Sequence, residues 1–215
     1  MMTGGRVSAV SIGPLQLPGD LVVPAASRGL VVFAHGSGSS RFSPRNRHVA
    51  DRLNDAGFAT LLFDLLTSHE ESVDLQTAEL RFDIALLGRR LVEAIDWIGG
   101  RPDVGELPLG CFGASTGAGA AIVAAGARPN AVRAIVSRGG RPDLAGEVLD
   151  GLRVPTLLIV GGADEVVVRL NEGALARIGD SARMTIVPGA THLFEEAGAL
   201  ERVADLARDW FADHL

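Results

Sequence analysis

Leu107–Ala127, with the sequence LPLGCFGASTGAGAAIVAAGA, joins an apolar run to a run of small residues through the pentapeptide Gly113-Ala114-Ser115-Thr116-Gly117. This pattern predicts a buried strand that turns sharply into a helix. Ser115 stands at the apex of the turn, where its hydroxyl points away from the backbone and a base can reach it. The flanking glycines let strand and helix approach closely, so Ser115 is a candidate nucleophile.

A serine flanked by glycines is a weak signal in a chain with 27 glycines, and two downstream segments supply the weight. Asp164 follows the apolar run Thr156 to Val160, and His192 follows the apolar run Met184 to Val187. Serine, acid and histidine therefore occur in the chain order of an α/β-hydrolase catalytic triad, each just beyond a predicted strand. We predict that Ser115, Asp164 and His192 form such a triad.

A glycine-rich turn upstream supplies a fourth part of the pattern. The apolar run Gly29 to Ala34 ends in His35-Gly36-Ser37-Gly38, where few side chains cover the backbone N–H groups. Acyl transfer requires two such donors to stabilise the oxyanion of the tetrahedral intermediate. We predict that the backbone amides of Ser37 and Thr116 form this oxyanion hole.

Together these residues resemble the α/β-hydrolase superfamily over nearly the whole chain. The small build resembles most closely the branch related to dienelactone hydrolases, although dienelactone hydrolases proper carry a cysteine nucleophile where this chain has Ser115. The motif implies a serine hydrolase that cleaves small carboxylic esters or lactones through an acyl-enzyme. This chemistry requires no organic cofactor and no metal ion.

Two members of the triad have rivals in the sequence. His35 lies beside the predicted oxyanion loop, but it resembles the His-Gly element of the superfamily, in which the imidazole braces the loop. His192 is therefore the better base. Glu165 and Asp143 compete with Asp164, yet only Asp164 occupies the turn after the penultimate strand, from which a carboxylate reaches the imidazole.

Short β-rich runs alternate with longer helical runs, which predicts an α/β fold of one domain, residues 1–215. We expect the α/β-hydrolase fold: a mostly parallel eight-stranded sheet with helices on both faces and no lid domain. The predicted strands are Val7 to Ile12, Leu15 to Val23, Val31 to Ala34, Thr60 to Asp64, Leu109 to Phe112, Ala134 to Ser137, Thr156 to Val160 and Thr185 to Val187. The predicted helices are Pro44 to Ala56, Thr77 to Ile98, Ser115 to Ala127, Val167 to Ile178 and Glu195 to Phe211.

Composition limits the function classes. The net charge of −6 argues against binding to nucleic acid or to an anionic membrane surface. Residues 1–6 lack the features of a secretory signal, and no apolar run approaches the roughly 20 residues of a membrane span, so a cytoplasmic protein is expected. The only cysteine, Cys111, lies in a predicted strand and is expected to be buried.

The acidic segment Thr67 to Gln76 contains His69 and three carboxylates. One histidine with scattered carboxylates lacks the clustered ligands of a zinc or iron centre. We therefore predict a solvated loop near the entrance of the site.

Arginines are the candidates for substrate binding. Arg41 follows the oxyanion loop, and Arg138 and Arg141 flank a glycine pair after the sixth strand, so all three are expected near the carboxyl edge of the sheet, where ligands bind. A guanidinium there suits a substrate that carries a carboxylate. The alternative for Arg41 and its neighbour Arg45 is that they hold the loop.

Other functions use the same residues. Amide cleavage and acyl transfer proceed on the same triad, and a hydrolase fold can also serve as a non-catalytic ligand-binding protein. The expected partner is a small-molecule ester or lactone.

Overall fold

The computed structural model describes residues 7–215 of the chain, and residues 1–6, on which the prediction about a secretory signal rests, lie outside them. Eight strands form one sheet, which confirms the predicted fold class. The strands are β1 Val7–Ile12, β2 Leu17–Val22, β3 Gly29–Ala34, β4 Phe58–Phe63, β5 Leu109–Ala114, β6 Val132–Arg138, β7 Thr156–Gly161 and β8 Ala182–Val187. The helices are α1 Pro44–Asp55, α2 Ser68–Thr77, α3 Ile84–Gly99, α4 Thr116–Ala127, α5 Val148–Gly151, α6 Glu165–Ile178 and α7 Ala199–His214.

The strand order is β1-β2-β4-β3-β5-β6-β7-β8. The pairs β1/β2 and β2/β4 are antiparallel, and every other neighbouring pair is parallel, in agreement with the predicted mostly parallel sheet. Because parallel strands end at the same edge, the loops after β3, β5, β6, β7 and β8 meet there. These are the loops that carry the predicted site residues.

The core lies on both faces of the sheet, and alternate residues of each central strand point to opposite faces. Val31 and Phe33 of β3 pack in a cluster with residues of α1 and α7. Leu30 and Val32 of the same strand pack in a second cluster with residues of α3 and α4. Cys111 belongs to that second cluster, as the sequence predicts, and is fully buried.

The acidic segment is a helix, so the prediction of a loop over Thr67 to Gln76 is wrong. Thr67 accepts a hydrogen bond from the Glu70 amide and the Glu70 carboxylate accepts one from the Thr67 amide, which together start α2. The helix ends at Thr77, and the next residue, Ala78, caps it with a left-handed φ of 57°. A new helix, α3, then starts after Asp83, so the single predicted helix Thr77 to Ile98 is interrupted.

The last helix begins later than predicted, at Ala199 rather than Glu195. The Glu196 carboxylate accepts hydrogen bonds from the Thr191 amide and hydroxyl, at 3.0 and 2.6 Å. Phe194 has a φ of 57°, which keeps this segment out of a helix. The segment instead forms the loop that carries His192.

The connection between β6 and β7 contains only a short 3-10 turn, Pro142–Ala145, and the four-residue α5, as expected for a fold without an inserted lid domain there. In the described part of the chain, each helix is too short or too polar to cross a lipid bilayer.

Candidate active site

Ser115 is the single residue between β5 and α4. Its backbone has φ 51° and ψ −121°, a conformation that residues other than glycine rarely adopt. The close approach of neighbouring backbone enforces this turn. A Cβ added to Gly117 would lie 2.2 Å from the Ala34 carbonyl oxygen, and one added to Gly113 would lie 2.5 Å from the Ala118 Cα. Both glycines are therefore required, as the motif predicts.

The strained turn is tied to the loop after β6. The Ser115 amide donates to the Arg138 carbonyl oxygen at 3.2 Å, and the Ser115 carbonyl oxygen accepts from the Arg141 amide at 3.0 Å. These bonds stabilise a backbone conformation that costs about 1–3 kcal/mol by itself. They also fix the position of Arg138 relative to the Ser115 hydroxyl.

The structure brings Asp164 and His192 together, although 28 residues separate them in the chain. Asp164 follows β7 and His192 follows β8, and the His192 Nδ1 lies 2.7 Å from the Asp164 Oδ2. The other carboxylate oxygen of Asp164 accepts from the Val167 amide at the start of α6, which orients the carboxylate. An imidazole bound in this way at Nδ1 presents Nε2 as the free nitrogen.

His192 and Ser115 line the same cavity at the carboxyl edge of the sheet. Within residues 7–215, no hydrogen bond joins the Ser115 hydroxyl to His192, a separation that is common in enzymes without substrate. The His192 side chain is 39% exposed and the Asp164 side chain 17%, so the base is open to solvent and its orienting carboxylate is more protected.

The predicted oxyanion loop lies against Ser115. A Cβ added to Gly36 would lie 3.1 Å from both the Ala114 carbonyl oxygen and the Ser115 Cβ, so the backbone of the loop passes directly beside the nucleophile. Thr116 is the first residue of α4, where a backbone N–H has no acceptor within its own helix. Ser37 lines the cavity that holds Ser115.

His35 braces this loop, as the resemblance implies. Its Nε2 accepts from the Leu65 amide at 3.1 Å, and its Nδ1 donates to the Gly36 carbonyl oxygen at 3.0 Å. Burial lowers the pKa of His35 below its ordinary value, and the bond to Gly36 and the charges of Asp64 and Glu71 only partly oppose this effect. His35 is therefore a neutral structural imidazole and not a competing base.

Two of the three predicted substrate arginines are bound by carboxylates of the protein. Arg41 donates from its backbone amide to Asp64 at 2.7 Å, and its guanidinium contacts the same carboxylate. Arg141 binds Asp143 through two parallel bonds of 2.8 and 2.7 Å. These two side chains are engaged in holding loops, the alternative that the sequence left open for Arg41.

Arg138 is different. Its side chain is buried to 7% exposure and lines the cavity of Ser115 and His192. Among the described residues, neither its Nε nor its Nη1 has a hydrogen-bond partner, and both atoms are buried. Burial and the positive charge of Arg45 lower the pKa of the Arg138 guanidinium to about 10.

Arg45 lines the same cavity, with its Nε also buried and without a partner in residues 7–215, and its Nη1 contacts Glu195 at 3.4 Å. Two guanidinium groups thus face one small space. An arrangement of this kind is costly unless an anion occupies it.

A second cavity, which sequence reasoning missed, opens on the other side of the oxyanion loop beneath α2. Its surface is mainly apolar, and Leu65, Leu66, Leu75 and Leu87 line it together with Thr116. The signal in the sequence was the pair Leu65-Leu66 just after β4, where polar loop residues would be expected at the edge of the sheet. We call it the leucine cavity, and the cavity with Arg138 the arginine cavity.

The sheet order, the serine turn after β5 and the Asp164–His192 pair define an α/β-hydrolase fold. The chain belongs to the dienelactone hydrolase family, whose model matches residues 17–213. It is 56% identical to the dienelactone hydrolase from Anabaena variabilis, whose crystal structure superposes with a TM-score of 0.95 over 100% of both chains. This result confirms the family that the motifs of the sequence predict.

Other relatives differ in name and length. A protein of Mycobacterium tuberculosis strain H37Rv named "Putative phosphoribosyl transferase" is 59% identical over 206 residues, which are 96% of this chain and 46% of that protein. The chain therefore spans about half the length of the curated relatives it matches. A promiscuous phosphotriesterase resembling dienelactone hydrolases, known from metagenomic libraries, has 19% identity and a TM-score of 0.79, covers 98% of this chain and 99% of its own, and shares the fold.

Proposed function

We propose that this chain is a serine hydrolase that cleaves small carboxylic esters or lactones through an acyl-enzyme. One observation carries the proposal: His192, bound to Asp164 at 2.7 Å, opens on the same cavity as Ser115 in its strained turn. A nucleophile, a base and a carboxylate that orients the base are the parts that acyl transfer requires.

In the first half of the reaction His192 Nε2 takes the proton of the Ser115 hydroxyl while Oγ attacks the carbonyl carbon of the substrate. The carbonyl electron pair moves onto oxygen, and the amides of Ser37 and Thr116 donate to that oxyanion. The intermediate then collapses, the bond to the leaving oxygen breaks, and His192 returns its proton to that oxygen. Asp164 stabilises the imidazolium throughout.

The second half reverses these roles. A water molecule gives its proton to His192 as its oxygen attacks the acyl carbon of the acyl-enzyme. Collapse of the second tetrahedral intermediate breaks the bond to Ser115 Oγ, which recovers its proton from His192. The carboxylic acid leaves, and the enzyme is regenerated without an external cofactor.

Arg138 supports a preference for anionic substrates. The Arg138 side chain lines the arginine cavity together with Ser115, and two of its nitrogens have no partner in residues 7–215. A carboxylate there would receive charge-assisted hydrogen bonds and relieve the repulsion between Arg138 and Arg45. Arg41 and Arg141, already paired with carboxylates, are left out of this role.

Phosphoribosyl transfer, the activity in the name of the M. tuberculosis relative, is not proposed for these residues. The chain corresponds to 46% of that protein. Its serine turn and histidine–aspartate pair support nucleophilic acyl transfer instead.

Hydrolysis of short-chain p-nitrophenyl esters tests the proposal. We expect Ser115→Ala to lower kcat by at least about 10⁴-fold, because no other group replaces the nucleophile. Ser181→Ala, in the turn before β8, is the matched control and should retain wild-type rates. A fluorophosphonate probe should label the wild type and Ser181→Ala but not Ser115→Ala. Activity that persists in Ser115→Ala contradicts the proposal.

A further inference from the structure

The oxyanion loop separates two cavities of opposite character. Gly36, Ser37 and Ser39 line both the leucine cavity and the arginine cavity. A carbonyl group attacked by Ser115 lies at this junction, because Ser37 belongs to the shared wall and Thr116 lines one side. The two substituents of that carbonyl must therefore extend into different cavities.

The leucine cavity has a mainly apolar surface. Two of its three acidic wall residues are paired within the chain: Asp74 accepts from the Arg81 backbone at 2.9 Å and from the Arg81 guanidinium at 2.6 Å, and Asp64 binds Arg41. The third, Glu71, is exposed, and its carboxylate repels an anionic acyl group. Four leucines supply most of the apolar surface of the cavity. An apolar group gains from transfer out of water at such a surface.

The position of His192 decides which part of the substrate enters which cavity. His192 lines the arginine cavity and is absent from the described wall of the leucine cavity. In the proposed reaction His192 delivers its proton to the leaving oxygen, so the leaving group must lie on the side of His192. The acyl group then extends to the other side, beneath α2.

We propose that the substrate is an ester of an apolar acyl group with an alcohol or enol that carries an anionic group. The acyl chain occupies the leucine cavity, and the anion of the leaving group lies between Arg138 and Arg45. This assignment rests on the proposed function and adds to it the chemical class of both halves of the substrate. Leu75, at the mouth of the leucine cavity, becomes a residue that determines acyl-chain preference.

Esters of 4-hydroxybenzoate test the assignment, because their leaving group carries a carboxylate. We expect kcat/KM to rise about threefold for each methylene added to the acyl chain from acetyl to hexanoyl. This factor is somewhat smaller than the one that complete transfer of a methylene group out of water would give. The hexanoyl ester should be cleaved at least about tenfold faster, in kcat/KM, than the 4-(methoxycarbonyl)phenyl monoester of glutaric acid, which carries its carboxylate on the acyl side.

Two variants in α2 distinguish the effect of a charge inside the leucine cavity from the effect of a charge on the helix surface. Leu75 is 74% exposed and Val73 is 40% exposed, so a charged residue is tolerated at both positions, but only Leu75 lines the described cavity. Leu75→Glu should lower the ratio of hexanoyl to acetyl kcat/KM by about tenfold, because a carboxylate then faces the acyl chain. Val73→Glu should leave that ratio unchanged.

The outcomes distinguish this inference from the proposed function. If wild-type protein cleaves neither these esters nor the short-chain p-nitrophenyl esters, the proposed function is wrong and the inference fails with it. If it cleaves the p-nitrophenyl esters in a Ser115-dependent reaction but none of the hydroxybenzoate esters, only the inference fails. If the esters are cleaved in a Ser115-dependent reaction, three results overturn the inference alone: no dependence on acyl length, equal effects of Leu75→Glu and Val73→Glu, or faster cleavage of the glutarate monoester.

Discussion

Arg138 is a residue whose burial lowers the stability of the fold and whose charge suits the proposed binding of an anion. Burial of a guanidinium at 7% exposure, next to a second guanidinium and without partners for two of its nitrogens in residues 7–215, lowers the free energy of unfolding. Residues of this kind are retained where a ligand compensates for the cost. The proposed anion-binding role therefore gives the charge of Arg138 a function that the stability of the fold does not.

We predict that Arg138→Ala raises KM for hexanoyl 4-hydroxybenzoate by about tenfold or more, the value of a charge-assisted hydrogen bond. The methyl ester of the same compound lacks the anion and should be affected much less. Arg133→Ala, at the exposed start of β6, is the control. Steady-state kinetics on the two esters measure the difference, and equal effects on both would contradict an anion-binding role.

The same substitution should also increase stability. Removing an unpaired buried charge should raise the free energy of unfolding by about 1 kcal/mol or more, measured by urea denaturation without ligand. A loss of stability would instead indicate that Arg138 has a structural role.

Sequence alone could identify the triad but not the use of each arginine. Ser115, Asp164 and His192 are detectable because each follows an apolar strand in a fixed order. Arg41 and Arg138 look alike in the sequence, since each lies beyond the carboxyl end of a predicted strand. Their roles differ because Asp64, 23 residues from Arg41, folds against it. A partner supplied by tertiary contact cannot be deduced from local pattern.

At the scale of elements, α2 forms the roof of the leucine cavity and is held by two ion pairs. Glu70 near its start binds the buried Arg90 of α3 at 2.7 Å, and Asp74 binds Arg81 beyond its end. Burial alone would raise the pKa of the Asp74 carboxyl, but the hydrogen bonds and charge of Arg81 outweigh that effect and hold it below its usual range. The carboxylate therefore stays ionised, and the helix stays attached.

We predict that Asp74→Asn loosens α2 without unfolding the protein. Loss of the charged hydrogen bonds to Arg81 should speed amide hydrogen exchange over residues 68–77 by at least about tenfold, with little change in β5. Glu71→Gln, an exposed change in the same helix, is the control. Hydrogen exchange with mass spectrometry measures both, and equal protection in the two variants would show that the Asp74–Arg81 pair does not hold the helix.

The sequence contains a signal for α2 that a search for apolar periodicity does not detect. The segment has few apolar residues at helical spacing, so it reads as a loop. Thr67 and Glu70 nevertheless match a capping box, which specifies the start of a helix independently of its buried face. The eight strands and the helices α1, α4, α6 and α7 were predictable to within a few residues, because strands buried on both faces and helices packed on a sheet leave strong apolar patterns. The start of α3 and the four-residue α5 were not predicted.

At the scale of the molecule, the sheet and its two helical layers fix the position of His35 between the oxyanion loop and the end of β4. The folded state holds this imidazole neutral, with a pKa lowered by burial. The unfolded chain takes up a proton near the ordinary value of about 6.5, whereas the folded protein does so only at lower pH. The contribution of neutral His35 to stability is therefore complete above pH 6.5 and is lost as the pH falls towards the lowered pKa of the folded state.

We predict that His35→Gln makes this acid-side loss shallower, by up to about 1.4 kcal/mol per pH unit. The measurement is the free energy of urea unfolding between pH 5 and pH 7. His69→Gln, at an exposed position in α2, is the control and should follow the wild-type slope. An unchanged slope in His35→Gln would mean that other groups dominate acid sensitivity.

The full burial of Cys111 makes this molecule convenient for site-specific chemistry. It is the only cysteine in the sequence, and burial raises the pKa of its thiol to about 12, so almost no thiolate reaches the solvent at neutral pH. A cysteine introduced on the surface would therefore be the sole thiol open to maleimide reagents. Fluorescent dyes or spin labels could be attached at one chosen position without first removing the native residue.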